Sequence, residues 1–151
     1  MIWWRKVDAL LRRCVCALHQ CETRLVQIQR KDELLAGKYD GIERQCSAIQ
    51  GLLRDAYLQG CTLDRAGLFD FQRRQAVLRR QLQELELLRA GIEAERAELQ
   101  QKMAAELHVR RNAMIRRDRY ENWLDRQRRE RRTAQLNREE VEIEEQTTWR
   151  R

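Results

Sequence analysis

The 151-residue chain has no proline, only six glycines, one serine and two histidines. Each scarcity excludes something. Loop-rich globular domains use proline freely in turns and at helix stops, so its absence argues against one. A single serine (Ser47) and two histidines (His19 and His108) leave little material for a nucleophile and its base. No glycine-rich phosphate loop is present. Nucleophilic catalysis also needs a third, orienting group and a pocket, and two helices side by side make no pocket of the usual size. The sequence therefore predicts no enzyme and no cofactor. The longest uncharged run is nine residues, Gln45 to Leu53, whereas a membrane-spanning helix needs about 20 apolar residues. Met1-Ile-Trp-Trp-Arg-Lys runs straight into charged sequence, without the apolar core of a signal peptide. No membrane span is expected, and the expected location is the cytosol.

The five cysteines are Cys14, Cys16, Cys21, Cys46 and Cys61. An odd count in a cytosolic setting argues against a disulfide framework. Cys14, Cys16, His19 and Cys21 are close enough in sequence to suggest a metal cluster. On a helix, however, Cys14 and Cys21 lie ~10 Å apart along the axis and Cys16 points away. Four ligands at about 2 Å from one point are then out of reach. These cysteines are read as small apolar fillers of a helix seam, and no metal is expected.

What the chain has in abundance is Arg, Gln, Glu, Leu and Ala, all good helix formers. The apolar residues recur in sevens. Val7, Cys14, Cys21, Ile28, Leu35, Ile42, Ile49 and Ala56 form one series. Leu11, Leu18, Leu25, Asp32, Tyr39, Cys46 and Leu53 form its companion. Fourteen of these fifteen positions are apolar, where a hydrophobic content of 42% would give about six. The pattern predicts a coiled-coil helix over about 5–59. It breaks at Gln59-Gly60-Cys61-Thr62-Leu63-Asp64. Gly60 suits a helix C-cap, Asp64 an N-cap, and Leu63 with Leu68 a hydrophobic staple.

A second helix is expected over about 64–146, with residues 147–151 as a tail. Its series Phe71, Leu78, Leu85, Ile92, Leu99, Glu106, Ala113, Tyr120, Gln127, Ala134 and Val141 is apolar at nine of eleven positions. The companion series Gln75, Leu82, Arg89, Arg96, Met103, Arg110, Arg117, Leu124 and Arg131 is apolar at three of nine. Long arginine stems can cover such a seam while their heads reach water. A turn of a few residues folds the helices back antiparallel. The expected fold is a single all-α, antiparallel two-helix coiled-coil hairpin. At 1.5 Å per residue its arms measure ~80 Å and ~120 Å, so the second overhangs the first.

A hairpin centred near residue 62 pairs position i with about 124 − i. Asp32 then falls within a turn of Arg89 and Arg96, which predicts an ion pair. His108 comes nearest Cys16. Trp3 and Trp4 meet Tyr120 and Trp123 at the open end, either as an aromatic clasp or as a knob for a partner.

Positive charge is concentrated near that end. Residues 110–132 hold 10 basic and 4 acidic groups, and the acidic stretch Glu139, Glu140, Glu142, Glu144 and Glu145 follows. A basic patch can bind nucleic acid. Here lysine is scarce, acids are interleaved, and the best heptads precede the patch, the reverse of a basic zipper. No nucleic-acid partner is expected, and a protein surface is the favoured one. The alternatives are a coiled-coil nucleic-acid-binding protein, or a general coiled-coil scaffold or export chaperone that oligomerises through the overhang.

Three segments carry a family resemblance. They are Arg12-Arg13-Cys14-Val15-Cys16-Ala17-Leu18-His19-Gln20-Cys21-Glu22, then Arg73-Arg74-Gln75-Ala76-Val77-Leu78-Arg79-Arg80-Gln81-Leu82 with Glu84-Leu85-Glu86-Leu87, then Tyr120-Glu121-Asn122-Trp123-Leu124-Asp125-Arg126-Gln127. Their order, with the arginine run and acidic tail, resembles the central stalk proteins of type III secretion systems of the InvI/SpaM kind, relatives of the YscO and FliJ stalks. The resemblance implies a virulence-associated stalk at the cytosolic face of the inner-membrane secretion apparatus. Its open end would sit in the pore of a hexameric secretion ATPase and its tip would point to the export gate. For some relatives, export chaperones are further partners. The family has no strict binding motif to carry over. Within this frame Arg116, Arg117, Arg119, Arg126, Arg128 and Arg129 are expected to face the ATPase. Trp3, Trp4, Tyr120 and Trp123 would stiffen the open end. Tyr57, Leu58, Leu63, Leu68 and Phe69 would either close the tip or dock on the export gate.

Overall fold

The computed structural model describes residues 2–56 and 62–150. The fold is all-α, a two-helix hairpin. Helix α1 spans Ile2–Asp55 and helix α2 spans Arg65–Trp149. Asp64 starts α2 as an N-cap: its Oδ1 accepts the Gly67 backbone N–H at 2.8 Å, and its carbonyl accepts the Leu68 N–H at 3.1 Å. A Cβ on Gly67 would lie 2.8 Å from that carboxylate oxygen and 3.2 Å from Leu63 Cδ2. A side chain there would need Asp64 and Leu63, both by their flexible ends, to give way slightly. Gly60, Tyr57 and Leu58 lie outside the described residues, so the expected C-cap and part of the expected tip have no structural account.

The contacts group into two compact units, Met1–Arg24 with Ala105–Arg151, and Leu25–Ala104. In each, a stretch of α1 packs antiparallel on a stretch of α2, and the heptad positions make the seam. All fifteen positions of the first two heptad series, from Val7 in α1 to Ala56 just after it, are buried or half-buried. So are all those of α2 from Phe71 to Gln127. Leu18, Cys21 and Leu124 are the most enclosed in the first unit, and Cys46 in the second. A two-stranded seam leaves the flank of each residue open to water, which is why few positions are fully buried.

The register differs from the expected one. In the first unit Cys21 contacts Glu106, and in the second Asp32 contacts Arg96 and Tyr39 contacts Glu93. The three pairs sum to 127, 128 and 132, so the facing positions lie three to eight residues, up to about a heptad, beyond 124 − i. The reason is physical. A seven-residue repeat fits registers one heptad apart about equally well, and polar layers in the seam select among them. Asp32 finds Arg96, one of its two expected partners. His19 Nδ1 lies 4.0 Å from Glu22, and His108 Nε2 lies 3.4 Å from Asn112, each on its own helix. No helix among the described residues is long and apolar enough to cross a membrane.

Candidate functional site

The seam ends at Gln127. Every residue from Arg128 to Arg150 is exposed, although the heptad series continues in sequence through Ala134 and Val141. A helix needs a partner for its apolar stripe to be buried, and within the first unit α1 reaches no further. The outcome is a single helical segment that begins in the arginine run and ends in the acidic stretch.

The first unit holds the six arginines expected to meet a partner. Arg116 lines a groove with Leu10, Cys14, Ala113 and Tyr120. Arg117 is half-buried at the seam, and its Nε and Nη2 donate to Asp118 Oδ1 at 3.2 and 2.9 Å. Glu121 lies 4.0 Å from the same guanidinium. Arg117 is therefore held by its own helix. Arg119, Arg126 and Arg129 are exposed and form no ion pair among the described residues. Arg128 reaches Asp125 at 3.6 Å.

The open-end aromatics are placed differently from one another. Trp3 is 73% exposed, with Lys6 Nζ 5.2 Å from its ring centroid. Trp4 is half-buried and carries two guanidinium groups, Arg128 at 5.5 Å and Arg131 at 5.0 Å. This is cation–π packing, in which the negative ring face attracts the cation. Tyr120 lies in the groove with Leu10 and Cys14, and Trp123 is half-buried. Trp4 is thus joined to α2 by arginine stacking, and Trp3 points outward. Arg131, absent from the expected set, is one of the two residues that hold Trp4.

Sequence reasoning also missed a polar cluster beneath this end. Cys21 Sγ donates to Glu106 Oε2 at 3.0 Å, and Arg24 Nη1 donates to Glu106 Oε1 at 3.1 Å. Arg110 Nη2 lies 3.8 Å from Glu22. The thiol hydrogen bond, aided by Arg24, holds the Glu106 carboxyl below its ordinary range against the opposing effect of burial. The same hydrogen bond, with burial, pushes the Cys21 thiol upward. The signal was present as a glutamate in an otherwise apolar series, but its partners depend on the register. The cluster sets two acids and three donors, two arginines and a thiol, side by side as a polar layer of the seam.

At the other end of α2, Leu63, Leu68 and Phe69 are all exposed, and Arg65 stacks over Phe69 at 5.8 Å. Among the described residues no three His, Cys, Asp or Glu side chains are placed to hold a metal ion.

A family model described as the Salmonella surface presentation of antigen gene type M protein matches residues 5–147. No curated protein and no solved structure matches the chain. The match takes in nearly the whole of both helices, from the start of the α1 seam to the acidic stretch, and the chain accordingly belongs to the surface presentation of antigen type M family of type III secretion proteins.

Proposed function

We propose that the chain is a non-enzymatic central stalk of a type III secretion system. The arginine-rich end of α2 sits in the pore of a hexameric secretion ATPase, and the end bearing Leu63, Leu68 and Phe69 addresses the export gate, with Tyr57 and Leu58 as part of the same tip. ATP hydrolysis at one end is thereby coupled to protein export at the other. The stalk works in the cytoplasm, at the cytosolic face of the inner-membrane apparatus.

One observation carries this reading: the exposed helix from Arg128 onward is continuous with a packed two-helix unit and opens on an arginine run. A single helix about 10–12 Å across fits a narrow pore. A pore lined with carboxylates or carbonyl oxygens would hold it by solvated charge contacts. Each such contact is worth under about 1 kcal/mol, so the shaft is retained without being locked to one wall.

The test is charge reversal of Arg126, Arg128 and Arg129 to Glu in the full chain. Loss of ATPase stimulation together with loss of secretion is expected, and unchanged activity in both rejects the assignment. For the tip, Tyr57→Ala with Phe69→Ala is expected to abolish secretion while helicity is kept. Loss of helicity in that variant assigns these residues to closing the hairpin instead.

A further inference from the structure

The exposed segment of α2 carries two charged blocks in a fixed order. Arg126, Arg128, Arg129, Arg131 and Arg132 come first, and Glu139, Glu140, Glu142, Glu144 and Glu145 follow. Among the described residues none of these five glutamates forms an ion pair within the chain, and of the five arginines only Arg128 does. Midway between the blocks stands Leu136, 59% exposed.

The two blocks share one helical face. Arg129, Arg132, Leu136, Glu139 and Ile143 follow one another at spacings of three, four, three and four residues, which is a single stripe on an α-helix. Glu140 borders it. Glu130, inside the basic block, and Arg138, just before the acidic one, fall on other faces. Of the two arginines that hold Trp4, Arg128 borders the stripe on the side away from Glu140 and Arg131 is off it. Ile143, 61% exposed, is its second aliphatic residue.

We infer that this stripe is a homotypic interface, whose occupant is the same stripe of a second copy of the chain running antiparallel. A two-fold axis at Leu136 sets Leu136 on its own counterpart. It brings Arg132 to Glu140 and Glu139 of the other copy, and the aliphatic stem of Arg129 to Ile143. Two-fold symmetry makes the Arg132 and Arg129 contacts twice and the Leu136 contact once. A parallel pair would instead stack arginines on arginines and glutamates on glutamates, which disfavours it. With two aliphatic residues per copy, charge complementarity supplies much of the attraction, so the pair responds to salt. Pairing covers Arg129, so a paired copy does not present that arginine to another partner. The inference stands on the charge order and does not depend on the stalk reading.

The experiment is sedimentation equilibrium of the full chain at low salt and at about 1 M salt, where screening falls to ~3 Å. A dimer at low salt that shifts toward monomer at high salt is expected. R129E/R132E and E139R/E140R are each expected to be monomeric at low salt, and an equimolar mixture of the two to recover a one-to-one dimer. A wild-type monomer at low salt overturns the inference, and that arm uses no variant. So does a variant that stays dimeric alone, or a mixture of helical variants that fails to pair.

Discussion

Arg96 Nε donates to Asp32 Oδ1 at 3.0 Å across the seam of the second unit, with both side chains about two-thirds buried. The hydrogen bond and the carboxylate charge raise the Arg96 pKa and keep the guanidinium charged. Asp32 is the one polar break in the α1 series, so this pair sits where an aliphatic layer would otherwise be. A buried ion pair often adds little net stability over a hydrophobic layer but can select register. Asp32→Ala is expected to lower the thermal midpoint, because Arg96 loses its partner in the seam. Asp32→Leu with Arg96→Leu is expected to restore or exceed the wild-type midpoint. In the double variant, spin labels on facing positions of α1 and α2 should report a broader spread of distances as registers a heptad apart become populated. A single sharp distance there would mean that other layers fix the register.

Cys21 and Glu106 make stability depend on pH at both ends. Glu106 has its folded pKa below the ordinary value near 4.5. Its contribution is complete above that value and is lost as pH falls through the depressed one. Cys21 has its folded pKa above the ordinary 9.0. Its contribution is complete below 9.0 and is lost as pH rises toward and through the raised value. Cys21→Ala removes the thiol donor, so it should make the acid-side loss shallower and remove the alkaline one. The check is the thermal midpoint against pH for wild type and variant, compared as a difference so that the other titrating groups cancel. Parallel curves would show that the thiol hydrogen bond does not couple to folding.

Much of this architecture was legible in the sequence. The heptad series named every seam position of α1, and the α2 series held as far as Gln127. Asp64 was readable as a cap because that chemistry is local. What was not legible depended on register. The repeat constrains faces but not which turn of α1 meets which turn of α2. For that reason Glu106 could be seen as a break in the pattern while Cys21 and Arg24 could not be named as its partners. The same offset brings Arg128 and Arg131 to Trp4, where the expected register brought Tyr120 and Trp123.

Gly37 and Gly91 sit inside helices, and a Cβ at either would meet nothing within 4 Å. Neither has the positive φ that would strain a side chain there. Alanine reduces the freedom of the unfolded chain and favours the helix, so each substitution is expected to stabilise by about 0.5–1 kcal/mol. Chemical denaturation gives the change. The informative combination is Gly37→Ala with Gly91→Ala assayed for secretion. A stabilised protein with full secretion assigns these glycines no mechanical role, whereas a stabilised protein with impaired secretion makes flexibility at these points part of function.

Trp4 binds α1 to the arginine run through Arg128 and Arg131, whose guanidinium carbons lie 5.5 and 5.0 Å from the ring centroid. Exposed cation–π contacts are worth about 0.5–1 kcal/mol, and here two act on one ring. Trp4→Leu keeps an apolar side chain but removes the ring face. It should cost less than Trp4→Ala, and the difference separates packing from the cation–π part. A double-mutant cycle between Trp4→Leu and Arg131→Leu isolates the coupling, expected at about 0.5–1 kcal/mol and weakly dependent on salt because the contact is short-ranged. A coupling near zero would mean that Trp4 is held by its apolar body alone and that Arg131 is free for other contacts.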